Sequence, residues 1–225
     1  MAQLRNEDVQ WCVRRLPPAL KQLAEAPTIL TILVAGGFIR SIITGEGVND
    51  VDVFTSSSTD AREIAWRLDS DTSHVVETPN AITVRSTSPV TQIIHRWTFS
   101  GPTALVDCIE SFDFTIARAG IQYVNGAWTS YCDDDFYPDL AAKRLRYRHP
   151  DRREDEAGSM LRLLKFYRKG YRAPLLDIAG VVARAVKGMS GGDLADDELV
   201  RRDFIMARLR VVDPAVDPEQ EGHLG

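Results

Sequence analysis

Residues 28–54 read TILTILVAGGFIRSIITGEGVNDVDVF, and their order decides the fold. The apolar, β-branched run Thr28 to Val34 predicts a buried strand. Ala35-Gly36-Gly37 ends it with glycines, which belong where backbone must come close to another group. Phe38 to Thr44 predicts a short helix, and Asp50-Val51-Asp52-Val53-Phe54 a second strand. Alternation along that strand sends Val51 and Val53 to one face and Asp50 and Asp52 to the other, where two carboxylates can share one divalent cation. A helix N-terminus behind a glycine turn offers unpaired N–H groups to a phosphate, and Arg40 in the first turn adds positive charge. Glycine pairs and Asp-x-Asp are each common alone. In the order strand, Gly-Gly, short basic helix, strand with Asp-x-Asp, they point to a site that holds triphosphate and Mg²⁺ (or Mn²⁺) together.

GGFIRS at 36–41 with NDVDVF at 49–54 resembles the polymerase-β-like nucleotidyltransferase superfamily, in the branch of bacterial CCA-adding enzymes and poly(A) polymerases, whose motif is GGxVRD followed by DxD. Three later stretches are similar to that branch. Phe112-Asp113-Phe114-Thr115-Ile116-Ala117 resembles its RRDFTINA, and Asp139-Leu140 with Leu145-Arg146 its DLxxxxLR. Leu161 to Phe166 with Gly170-Tyr171 resembles its LRxxRF…GF helix. The likeness runs from about residue 28 to 172. It implies an α+β architecture: a nucleotidyltransferase palm, a mixed sheet with flanking helices, at 1–132, a small helical neck at 133–212 and a flexible tail at 213–225.

The resemblance also implies roles. Asp50 and Asp52 would bind the metal and act in catalysis with Asp113, the latter as a third carboxylate or a ribose contact. Gly36, Gly37, Arg40, Ser41, Arg146 and Arg162 would contact the nucleotide. Departures from the pattern carry information too. Ser41 stands where the family has Asp, and Ser111-Phe112 where it has Arg-Arg, so ribose and triphosphate contacts differ. The EDxxR whose Arg and Asp read the incoming base aligns with Asp155-Glu156-Ala157-Gly158-Ser159, and its Arg is absent. Strict CTP-then-ATP selection therefore does not carry over. The chain ends soon after the neck helices, so the expected form is a minimal one, without a long helical body.

Charge separates the neck from the rest. The chain carries 27 Lys and Arg against 32 Asp and Glu, a net charge of −5. Residues 143–172 hold eleven of the basic residues and four acids, a local +7 that leaves −12 elsewhere. Tyr147, Phe166, Tyr167 and Tyr171 lie among these charges, so phosphate contact and base stacking are both available. Lys165, Arg168 and Lys169 are the candidate contacts to a polyanionic acceptor. Leu161, Leu164 and Phe166 are expected to face the core.

A chain of 225 residues, 44% hydrophobic, can bury a sizeable core. Cys12, Cys108 and Cys132 are far apart, odd in number and not grouped with the four histidines, which argues against disulfides and structural zinc. With no leader-like segment and no apolar run near the roughly 20 residues that span a bilayer, the expectation is a cytoplasmic protein without a membrane partner.

Elsewhere the pattern predicts an N-terminal helix over 7–25 broken at Pro17-Pro18, a helix over 60–68, strands at 82–84 and 91–97, a helix over 103–111, and short strands at 114–116 and 122–124. The second of these ends at an Asn125-Gly126 turn. Helices are expected at 139–146, 155–169, 175–187 and 194–210, with a loop at 189–193. His74 and His95 read as ordinary strand residues, and Asp133-Asp134-Asp135 as a solvated turn. The function expected is metal-dependent transfer of NMP from an NTP to an acceptor hydroxyl, RNA above all. Nucleotidylation of a small molecule or protein, and a non-catalytic nucleotide-binding module, are the alternatives. Base, acceptor and oligomeric state stay open.

Overall fold

The computed structural model describes residues 1–27, 29–148, 157–187 and 198–210, side chains of 208–210 excepted. The chain divides into two compact units, Met1–Leu140 and Ala141–Gly225.

In the first unit, α1 (Asn6–Arg15) and α2 (Pro18–Glu25) are separated at Pro17-Pro18. Then come β1 (Leu33–Ala35), α3 (Gly37–Thr44), β2 (Asp50–Phe54) and α4 (Ser58–Leu68). They are followed by β3 (Val75–Glu77), β4 (Ala81–Val84), β5 (Val90–Ile94), α5 (Ala104–Glu110), β6 (Ala119–Val124), β7 (Ala127–Cys132) and α6 (Phe136–Ala141). The strands form one mixed sheet in the order β3-β4-β5-β2-β1-β6-β7. Every neighbouring pair is antiparallel except β2 with β5. This is an α+β architecture, a seven-stranded mixed sheet with flanking helices.

The antiparallel register pairs Leu33 with Phe54 and Val34 with Val53. Leu33, Ala35 and Phe54 therefore share a face, and there they pack with Ala104, Leu105, Cys108 and Ile109 of α5. The helix comes close to β6 because residue 120 is glycine: a Cβ there would lie 2.8 Å from Leu105 Cδ1 and 3.1 Å from the Val34 carbonyl. Asp50 and Asp52 continue the face of Phe54, and both are half-buried, while Val51 and Val53 on the opposite face are wholly buried. The alternation read from residues 50–54 is thus the one observed.

Several boundaries differ from expectation. The strand expected at 28–34 is confined to β1; Ile29 is fully exposed, and Thr28 lies outside the described residues. β5 stops at Ile94 because the next two amides, of His95 and Arg96, both donate to the Asn80 carbonyl. Residues 114–116 are not a strand: Thr115–Ala117 is a 3₁₀ turn, closed by Ala117 N–H on the Phe114 carbonyl and Arg118 N–H on that of Thr115. Asp113 consequently lies between α5 and this turn, not at a strand start. Asp133 does not belong to a solvated turn, being buried and 3.3 Å from Arg118 Nε. His74 sits in a 3₁₀ turn and its Nδ1 is 2.9 Å from Asp69 Oδ2. β3 and β7 were not anticipated. All three cysteines are buried and unbridged, and burial, with Asp8 adding to it, pushes the Cys12 thiol up to about 12.

In the second unit, α7 (Gly158–Arg168), α8 (Leu175–Ala185) and α9 (Glu198–Arg210) are helical. The helix expected over 139–146 ends at Ala141, and Leu145 instead donates its N–H to the Arg172 carbonyl at 2.8 Å, while Arg172 N–H reaches that of Lys143. In α7 the inward leucine is Leu163, not Leu164, which is 52% exposed; Phe166 is buried, edge-on to Tyr171. The expected loop at 189–193, the tail at 213–225 and residues 155–156 lie outside the described residues. No helix among the described residues is long and apolar enough to cross a membrane.

Candidate active site

Gly36 is the pivot of the site. Its N–H is held by the Ala119 carbonyl at 3.0 Å, and its φ of +83° is a conformation that side-chain-bearing residues rarely adopt. That turn starts α3, whose first N–H groups have no partner within the helix. A Cβ built on Gly36 would lie 3.9 Å from Asp52 Oδ2, so the carboxylate of β2 and the start of α3 face one small space. The same Cβ would stand 3.1 and 3.2 Å from Cε1 and Cζ of Phe112. The Phe112 ring, itself edge-on to Phe54 at 5.6 Å, walls this space.

Of the residues expected at the site, Gly36, Gly37, Asp50 and Asp52 come together around the end of β1 and the face of β2. Arg40 is buried: its Nη2 is 3.1 Å from Ser41 Oγ and 3.6 Å from Glu46 Oε2, so its charge already has an acidic partner within the fold. Glu46 carries no sequence signal for this pairing, although it stands one residue past the Gly45 that closes α3. Ser41 is buried as well. Asp113 is 2% exposed, next in sequence to Phe112. Its segment is anchored by Thr115 Oγ1, which donates to Asp139 Oδ2 at 2.6 Å, and by Asp133 N–H on the Arg118 carbonyl.

In the second unit Arg146 and Arg162 are half-buried, Lys165 and Arg168 are exposed, and Lys169 is intermediate. Residues 143–148 and 157–172, the described parts of the basic segment, carry nine Lys and Arg and no acid; Arg152, Arg153 and the four acids lie outside the described residues. The Arg172 guanidinium stacks 5.2 Å from the Tyr167 ring centroid. Ser159, which aligns with the absent base-reading Arg, is fully buried.

The donor set suits a hard cation. Among the described residues no three His, Cys, Asp or Glu side chains form a metal cage. Two carboxylates on one strand face, Asp52 near the start of α3, match Mg²⁺, which is commonly held by one or two carboxylates, water and substrate phosphates.

A family model described as Gabija anti-defense 2 family protein matches residues 12–143, more than half of the chain. No curated protein matches. Among solved structures, a CCA-adding enzyme complexed with CTP superposes with a TM-score of 0.61 at 19% identity over 95% of this chain and 52% of that one. The Thermotoga maritima CCA-adding enzyme complexed with tRNA gives 0.60 at 17%, over the same shares. A tRNA nucleotidyltransferase with a primer tRNA and an ATP analogue gives 0.57 at 21%, over 85% and 55%. These likenesses establish the fold, and the chain spans about half the length of the structures it matches.

Proposed function

The chain belongs to the Gabija anti-defense 2 family, and from that premise we propose that it is a metal-dependent nucleotidyltransferase moving NMP from an NTP to an acceptor hydroxyl with release of pyrophosphate. The observation that carries this reading is the convergence of the Gly36 turn, the start of α3 and the Asp52 carboxylate on one space. In this reading the backbone N–H groups behind Gly36-Gly37 receive the triphosphate, and the position of the helix N-terminus favours negative charge there. Asp50 and Asp52 would hold Mg²⁺. Bound there, the metal would offset phosphate charge and lower the pKa of the acceptor hydroxyl for in-line attack. Asp113, buried beside Phe112, serves as a third carboxylate or as a ribose contact. Phe112 keeps water from one side of the space.

The acceptor proposed is an RNA 3′ end. It is supported by the acid-free basic stretches of the second unit, with Lys165, Arg168 and Lys169 as backbone contacts, and by the tRNA held in two solved structures of the same fold. The family's description supplies a setting, action against Gabija defense. The same chemistry directed at a small molecule or a protein is the competing reading, favoured by the replacement of the base-reading Arg by a buried Ser159.

Incubation of the purified chain with Mg²⁺, each labelled NTP and a pool of RNAs tests this. RNA lengthened by a nucleotide in wild type and not in Asp52→Ala supports the reading, and label on protein or small molecules alone shifts it to the competing one. In cells carrying Gabija, wild type is expected to relieve defense and Asp52→Ala to lose that effect.

A further inference from the structure

The Phe112 ring is placed against the glycine that opens α3, and three observations define what it does there. Its Cε1 and Cζ lie at 3.1 and 3.2 Å from the position of a Cβ on Gly36, so the ring fills the space that a side chain at residue 36 would need. On its other side the ring is fixed edge-on to Phe54 at 5.6 Å with planes at 85°, and it packs against the cluster of Leu33, Ala35 and α5. Its own backbone is tied down by Phe112 N–H on the Ile109 carbonyl at 3.3 Å. The ring is therefore a rigid stop between the core and a turn with a φ of +83°, which the hydrogen bond from Gly36 N–H to the Ala119 carbonyl also holds. Asp52 Oδ2 borders the same point from the other strand.

We propose that Phe112 is a positioning residue: it pins the Gly36-Gly37 turn so that the first N–H groups of α3 and the Asp52 carboxylate stay aimed at one phosphate group. Its use for nucleotide rests on the function proposed above; its hold on the turn does not. A well-oriented set of donors binds without further reordering, so loss of the stop is felt in nucleotide affinity and not only in stability. The contact also makes residues 36 and 112 interdependent. Alanine at 36 suffers a strained φ whatever stands at 112, but its clash with the ring disappears when the ring does. In a double-mutant cycle the φ strain cancels and the clash remains as coupling.

The test is the cycle Gly36→Ala, Phe112→Ala and the double variant, with two readouts: hydrogen exchange of the Gly36 and Gly37 amides, and affinity for Mn²⁺·NTP. Phe112→Met, which restores volume without a rigid ring edge, replaces Phe112→Ala if that variant fails to fold. The expected results are exchange at residue 36 at least tenfold faster in the Phe112 variant, a Kd for Mn²⁺·NTP raised at least tenfold, and a Gly36→Ala penalty at least threefold smaller without the ring. Exchange and affinity within twofold of wild type in the Phe112 variant, or a strictly additive cycle in both readouts, would overturn the proposal. Coupled exchange in a protein whose wild type binds no nucleotide would uphold the hold of Phe112 on the turn and sink the nucleotide reading instead.

Discussion

At the scale of single residues, the account rests on Asp50 and Asp52, two like charges on one strand face, both half-buried. Like charges on one face repel when no cation lies between them, so each carboxylate is held at a small cost to the metal-free fold. Asp50→Ala or Asp52→Ala is accordingly expected to abolish nucleotide transfer while leaving the metal-free melting temperature unchanged or raised; thermal denaturation beside a turnover assay checks both halves, and full turnover in either variant would refute the assignment. Residue 159 bears on base choice. A buried serine cannot offer the charged donor that reads a base edge, and a site lacking such a donor loses discrimination of several kcal/mol, of order 10⁴-fold or more where sites are built around one. Relaxed or shifted preference in a panel of four NTPs is therefore expected, and strict CTP-then-ATP addition would show that another residue has taken over the reading. Much at this scale was legible. Alternation at 50–54 placed both carboxylates, and the paired glycines placed the turn. The burial of Arg40 against Glu46 was not, because an ion pair across a loop has no sequence period.

At the scale of elements, the site depends on how the loop after α5 is held. Thr115 donates to Asp139 at 2.6 Å, linking the 3₁₀ turn beside Asp113 to α6, and Asp139 is wholly buried. Removing a donor from a buried carboxylate leaves part of its desolvation uncompensated, so Thr115→Val is expected to destabilise by about 1–3 kcal/mol. Chemical denaturation measures this directly; a change below about 0.5 kcal/mol would mean the bond is replaceable. Sequence patterns misjudged this region for identifiable reasons. Phe114-Thr115-Ile116 has the β-branched, aromatic character of a strand, yet the turn's own backbone bonds win. Ala119-Gly120 has weak strand propensity and escaped notice, but small residues are what the approach of α5 requires there. β7 was missed although the Asn125-Gly126 turn pointed straight at a returning strand, which now pairs Val124 with Ala127.

At the scale of the whole molecule, an acidic chain carries a basic stretch confined to its second unit, and that asymmetry is the ground for a polyanionic acceptor. If Lys165, Arg168 and Lys169 each meet a phosphate, replacing all three by Ala should weaken RNA binding and flatten the slope of log K against log salt by about 2 for a single strand. Nucleotide binding at Gly36-Gly37 should change little. An unaltered slope would make the stretch an ordinary solvated face. The central claim is NMP transfer itself. It is tested most directly by supplying γ-labelled NTP with Mg²⁺ and a heat-treated cell extract as acceptor pool, and following the labelled product. The account predicts label released as pyrophosphate by wild type, and none by Asp50→Ala or Asp52→Ala or in the presence of a chelator. Label released as orthophosphate, or equal pyrophosphate release by wild type and both variants, would contradict it.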